Sequence, residues 1–322
     1  MDHSAQHGAS DMVNRVTSHD DARLPSRRAP WPWFVARLTS WETGRVRPLS
    51  QPEVAPAPAP LAGTLERWAW DYLAIVAIED KFTLDPPPAA RETSAPPRPQ
   101  LRPARPMSVP ARRSKTPGRE ALRAPLPRAR LLATFLQHEL QAAELMCWAI
   151  LAFPEAPAAF HRGLATIARD EVRHMNLYRS HMRRLGHGMG DFPRRDWFWE
   201  RVPSAQTPAQ FVATLGIGLE GGNIDHARRF AAQFRAVGDH EGATLQEQIF
   251  EEEIPHVRFA FHWFEEWTGA RDFQSWLAHL TPPLSPVLMR GDPIERAGRQ
   301  RSGFSDPFLD ELSRWHDRGS GY

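Results

Sequence analysis

Ile167-Ala-Arg-Asp170-Glu171-Val-Arg-His174-Met-Asn-Leu-Tyr178 is the stretch on which the fold turns. At helical steps of three and four, Phe160, Leu164, Ile167, Glu171, His174, Tyr178 and Leu185 fall on one face, so an acid, a base and a phenol interrupt an apolar stripe. The same setting recurs at Glu253-Ile-Pro-His256, flanked by Ile249, Ala260 and Trp263. Two more stripes carry one inward acid each. Glu139 stands among Leu132, Phe135, Leu136, Ala143, Met146 and Ile150, and Glu220 among Val212, Gly216, Ile224, Ala227 and Phe234. An isolated carboxylate in hydrocarbon costs several kcal/mol and would normally protonate, so four of them with two imidazoles call for bound cations. The i, i+3 spacing of each Glu-x-x-His puts both side chains on one face, able to share one ion. Glu139 and Glu171 lie 32 residues apart and Glu220 and Glu253 lie 33, so two hairpins present their glutamates at nearly equal offsets.

Outward from these residues, stop signals divide the chain. Helices are expected over about 129–152, ending at Phe153-Pro154, and about 156–185, ending at Gly186; their short link makes them antiparallel neighbours. A long connection, 187–206, allows a crossover before Thr207-Pro208 starts a third helix, and Gly238-Asp239 turns it into a fourth that ends before Gly269. Hairpin, crossover, hairpin is the connectivity of ferritin-like bundles. The expected fold is therefore all-α, a ferritin-like four-helix bundle over 129–269 with an irregular Pro/Arg-rich N-terminal extension. Residues 1–63 read as irregular or disordered, with a Trp-Pro-Trp-Phe cluster at 31–34; 64–84 reads as a short helix, 85–128 as a Pro/Arg-rich segment wrapping the bundle, and 270–322 as a short helix and tail. Gly221-Gly222 beside Glu220 and Pro255 inside the second Glu-x-x-His predict local distortion and a kink.

Composition narrows the chemistry. The 322 residues carry 41% apolar and 24% charged side chains, a globular balance, but 31 prolines require irregular segments. With Cys147 alone, disulfide frameworks, thiolate zinc and cysteine-ligated clusters are excluded, and a reducing, cytoplasmic location is expected. No run reaches the roughly 18 apolar residues of a membrane span. A net charge of +2 is too slight to argue for nucleic acid by itself.

The sequence resembles the ferritin-like di-iron carboxylate superfamily, whose pattern is Glu, Glu-x-x-His, Glu, Glu-x-x-His on four helices. More narrowly, Arg102-Pro-Ala-Arg-Pro106, His138-Glu-Leu-Gln-Ala-Ala-Glu-Leu-Met146, Phe153-Pro154, Asp170-Glu-Val-Arg-His174 and Glu253-Ile-Pro-His256 look like the ferritin-like family catalogued as domain of unknown function 455. The resemblance implies Glu139, Glu171, His174, Glu220, Glu253 and His256 as ligands of two iron ions, with Mn/Fe or Mn/Mn pairs also suited to these donors. His138 is expected to support the ligands from behind. Tyr178 is expected to be redox-active or to hydrogen-bond a ligand, its spacing after the Glu-x-x-His resembling that of the radical tyrosine in the ribonucleotide reductase small subunit. Glu144, Glu251 and Glu252 fall off the stripes, as supporting or solvated acids. The expected activity is that of a dioxygen-activating oxidoreductase, a hydroxylase or oxidase, with a small-molecule substrate, dioxygen and an electron donor as partners. A tRNA-modifying hydroxylase using the arginines of 92–130, and a non-catalytic iron-binding or scaffold protein, are the alternatives. Oligomeric state stays open, a homodimer included.

Overall fold

The computed structural model describes residues 58–107 and 117–317; the Trp-Pro-Trp-Phe cluster and most of the 1–63 segment lie outside the described residues, as does 108–116 of the Pro/Arg-rich segment. The chain is all-α, with no strand among the described residues. Helix α1 (Leu65–Ala74) is capped by Thr64, whose hydroxyl accepts from Arg67 N, and a 3₁₀ turn follows at Ile78–Phe82. Helix α2 (Pro125–Ala152) begins with prolines in its first turn, where the missing N–H groups have no intrahelical partner to lose. After Pro154 the chain reverses into α3 (Ala158–Arg184), which ends ahead of Gly186 at φ 81°.

The crossover leads to Thr207, which caps a four-residue α4 (Pro208–Phe211). From there the helix widens into a π-helical run, Val212–Glu220, and resumes as α5 (Gly221–Ala236). The distortion expected at Gly221-Gly222 thus lies just before them and delivers Glu220 as its last residue. Gly216 and Gly218 permit it. A Cβ on Gly216 would lie 2.3 Å from Ala260 Cβ, and one on Gly218 would lie 2.7 Å from Met289 Sδ. Gly238, at φ 82°, turns the chain into α6 (His240–Thr268), which is one helix across Pro255.

Helix α2 packs chiefly on α3 and α5 chiefly on α6, and the two hairpins meet where α3 lies against α6. Glu139, Glu171, Glu220 and Glu253 are all buried at that meeting. Helix α2 is buried almost all round because the 58–107 arm covers its outer side: Arg98 N donates to Leu151 O at 2.8 Å and the Trp148 indole to Pro99 O at 3.0 Å.

The expected short helix and tail at the C-terminus are instead three helices, α7 (Phe273–His279), α8 (Arg296–Ser302) and α9 (Asp306–Arg314). The polar character of the segment hides Phe304, Phe308, Leu309 and Leu312, all buried. Phe304 meets Phe261 of α6 edge-on at 4.7 Å and Phe308 meets Phe273 at 5.4 Å, so this segment completes the core behind α6.

Candidate metal centre

Each of four helical runs contributes one glutamate to a dry point between the hairpins, and α3 and α6 add a histidine each. Glu171 reaches both imidazoles: its Oε2 is 3.3 Å from His174 Nδ1 and its Oε1 is 3.1 Å from His256 Nδ1. Glu253 mirrors it, with Oε2 3.2 Å from His256 Nδ1 and Oε1 3.7 Å from His174 Nδ1. On the flanks, Glu139 stands beside Glu171 and Glu220 beside Glu253. One ligand atom from each of Glu139, Glu171, His174 and Glu253 can be chosen so that all lie within 4.8 Å of one another. His256 joins these four through Glu171 and Glu253, and Glu220 lies beside Glu253.

The electrostatics follow from burial. Burial, then the Glu171 and Glu253 charges, pushes the Glu139 carboxyl well above its usual range. Burial and the same two neighbours do so for Glu220. With no cation beside them, both acids are therefore pushed toward their neutral form. For Glu171, burial alone would raise the carboxyl, but contacts with His174 and His256 outweigh it and hold it well below the usual range. Burial likewise opposes the charged form of His174, yet Glu171 and Glu252 raise it to about 9. His256 is raised well above its usual value by Asp170, Glu171 and Glu253.

Residues off the apolar stripes complete the centre. The acid before each Glu-x-x-His serves the histidine of the opposite helix: Glu252 Oε2 is 2.8 Å from His174 Nε2, and Asp170 Oδ2 is 3.3 Å from His256 Nε2. Arg173 ties the two acids together, donating to Glu252 at 2.5 Å and to Asp170 at 3.0 Å. Asn223 donates to Glu253 Oε1 at 3.0 Å. A carboxylate on each Nε2 keeps the proton there and turns the Nδ1 lone pair inward, as a metal-binding imidazole requires.

The other expected residues lie elsewhere. The Tyr178 hydroxyl accepts from Gln246 at 3.3 Å, and the tyrosine ring packs on Phe135 at 5.6 Å. His138 stacks on Phe198 at 4.8 Å and is pushed down to about 4 by burial. Glu251 pairs with Arg301 at the surface, and Glu144 is fully buried in an ion network on the far side of α2.

A cavity of about 350 Å³ opens over the Glu139 and Glu220 side of the centre, walled by His138, Trp197, Phe198, Leu219 and His226 with Arg195 along it.

Residues 68–310 match the family described as "Protein of unknown function (DUF455)". The chain belongs to that family. It is also similar to an uncharacterized protein of Haemophilus influenzae, 25% identical over 155 residues that cover 47% of this chain and 54% of the other, so about half of that relative's length is matched. No solved structure matches the chain. Of the family match, the part ahead of α2 includes the arm residues Arg98 and Arg105, and the part beyond α6 includes α7 and α8, so the family unit is larger than the two hairpins.

Proposed function

We propose that the two hairpins form a ferritin-like four-helix bundle holding two iron ions, and that the protein is an oxidoreductase that uses them with dioxygen on a small organic substrate. The observation that carries this is the near-twofold centre, in which Glu171 and Glu253 each stand within 3.1–3.7 Å of both Nδ1 atoms. Glu139, Glu171, His174, Glu220, Glu253 and His256 would together hold the two ions, with Glu171 and Glu253 placed between the two histidines. The residues fit such ions. Glu139 Oε1 and Glu220 Oε1 are buried without a hydrogen-bond partner, a cost that a cation in contact with them would remove. Carboxylate and imidazole donors suit iron and manganese alike.

When bound, an iron pair would supply the electrons for reducing dioxygen. The chain's own residues do the rest: Asp170 and Glu252 fix the imidazoles, burial excludes water, and the cavity over Glu139 and Glu220 gives a substrate room beside the site. The tRNA reading finds less support. Within 92–130, Arg105 pairs with Glu144 and Asp196, and Arg98 donates to Pro58 O and Pro96 O, so two of the arginines that reading relies on are engaged inside the molecule.

Anaerobic loading with ferrous iron, followed by desalting and oxygen, tests the proposal. About two irons per chain and an oxygen-dependent absorption change are expected. A protein that retains no iron or manganese, or whose iron never reacts with oxygen, sinks it.

A further inference from the structure

Arg195 lines the cavity and has no counter-ion among the described residues. The crossover segment that carries it is fastened to α2 by two glutamines one turn apart. Gln137 Oε1 accepts from Arg195 N at 3.1 Å, and Gln137 Nε2 donates to Pro193 O at 3.2 Å. Gln141 Nε2 donates to Arg195 O at 3.1 Å, and Gln141 Oε1 accepts from Phe198 N at 2.9 Å. Both backbone groups of Arg195 are therefore held by one helix. Its side chain is treated otherwise: the Nε is buried with no partner, and no carboxylate pairs with the guanidinium among the described residues. Other half-buried or buried arginines nearby are matched, Arg105 by Glu144 and Asp196 and Arg201 by Glu200 and the Trp197 ring.

A guanidinium carried on a fixed backbone, partly desolvated and unpaired among the described residues, is a receptor for a planar or tetrahedral anion, which its fork of donors matches in two-point fashion. The rest of the cavity says what the anion is attached to. Trp197 and Phe198 pack edge-on at 5.7 Å, and His138 lies flat on Phe198. His226 accepts from Arg229 through Nδ1 at 3.2 Å and is pushed down to about 4 by burial. With Leu219 and Leu288 also in the lining, these walls fit an apolar, flat body.

We infer that this cavity binds a small organic anion, a carboxylate or phosphate ester with an aromatic or similarly flat body, its acid group on Arg195 and its body against Trp197 and Phe198 beside Glu139 and Glu220. That the ligand is a substrate rests on the metal-centre reading above; that the site selects an anion does not.

The test titrates the full-length protein by calorimetry with benzoate, phenyl phosphate and the neutral benzamide, in metal-free and Mn(II)-loaded forms, with metal content measured on the same samples. Wild type is expected to bind benzoate or phenyl phosphate at least tenfold more tightly than Arg195→Ala does, with Arg195→Lys between them and benzamide indifferent to the change; which acid binds better separates carboxylate from phosphate ligands. Because the Arg195 side chain makes no hydrogen bond, both variants should fold, and circular dichroism checks that. Acids that bind Arg195→Ala as well as wild type, or that bind wild type no better than benzamide does, overturn the inference. Failure to retain manganese with the Arg195 dependence intact overturns the metal centre and leaves the anion site standing.

Discussion

At the scale of single residues, Glu139 shows how one carboxyl is held in two opposing ways. Without a cation it is buried beside Glu171 and pushed to its protonated form; beside a cation it is a ligand. Glu139→Gln is isosteric with the protonated acid, so the melting temperature of metal-free protein should stay level or rise. Metal affinity should fall at least about tenfold, roughly 1.4 kcal/mol. Thermal scans with and without Mn(II) read both; a variant destabilised in both states would contradict the assignment. His174 adds a pH dependence. Its imidazole is raised to about 9, so its pairing stabilises metal-free protein fully below the usual histidine value near 6.5 and is lost as pH rises through about 9. Over the same interval a metal displaces that proton from Nδ1, so Mn(II) affinity should climb between pH 6.5 and 8.5 with net proton release, seen as buffer-dependent binding heat. Flat affinity over that range would count against Nδ1 as the ligand atom. The six candidate ligands were legible because each interrupts an apolar stripe, and Glu252 reads as a supporting or solvated acid. Asp170, Arg173 and Asn223 are assigned no role by the sequence, since they lie off the stripes and Asp170 and Arg173 act across helices. The available signal was the acid directly preceding each Glu-x-x-His.

At the scale of elements, helix ends follow local chemistry: Thr207, Asp239 and Ser305 each cap through a side-chain oxygen, and Gly186, Gly238 and Gly269 stop or turn the chain at positive φ. These positions can be read from a sequence because the interacting groups are three or four residues apart. The π-helical run cannot, because nothing in Val212–Glu220 sets a five-residue hydrogen-bond step; tight packing from both sides goes with it. Ala260 of α6 presses on Gly216, and Met289 presses on Gly218 from the C-terminal segment. Gly216→Ala alone forces two methyl carbons to about 2.3 Å and should cost about 1–3 kcal/mol by overpacking. It should also shift Glu220 and lower metal occupancy. Adding Ala260→Gly removes the opposing methyl and should restore most of both losses. If Gly216→Ala melts like wild type, the close approach does not constrain the run; if the second change gives no rescue, the pair is not what couples α6 to it.

At the scale of the whole molecule, the Pro/Arg-rich arm both covers α2 and sends charged side chains into the core. Its Arg105 donates to both oxygens of Glu144 at 2.7 and 2.8 Å and pairs with Asp196 of the crossover at 2.7 Å. Lys81 lies 3.1 Å from Glu144, and the Trp199 indole donates to it at 2.8 Å. One carboxylate on α2 thereby joins the arm, the 3₁₀ turn after α1 and the crossover segment that carries Arg195. From the sequence Glu144 falls off the ligand stripe and reads as a supporting or solvated acid, which would hold if α2 faced water on that side. The arm reverses the outcome, and no local pattern announces it, because the contacts to Glu144 span 39 residues from Arg105 of the arm and 55 from Trp199 of the crossover. Such a hub is unforgiving of truncation and tolerant of an isosteric change. Glu144→Ala leaves Lys81 and Arg105 buried without their carboxylate and should cost about 3–5 kcal/mol. Glu144→Gln keeps the shape and the acceptor oxygen for Trp199 and should cost less. Denaturant titration of metal-free protein gives both values, and limited proteolysis within 58–107 reports whether the arm lifts. An arm that stays protected in Glu144→Ala, at wild-type stability, would show that the buried network does not fasten it, and that prolines and packing on Trp148 hold it in place.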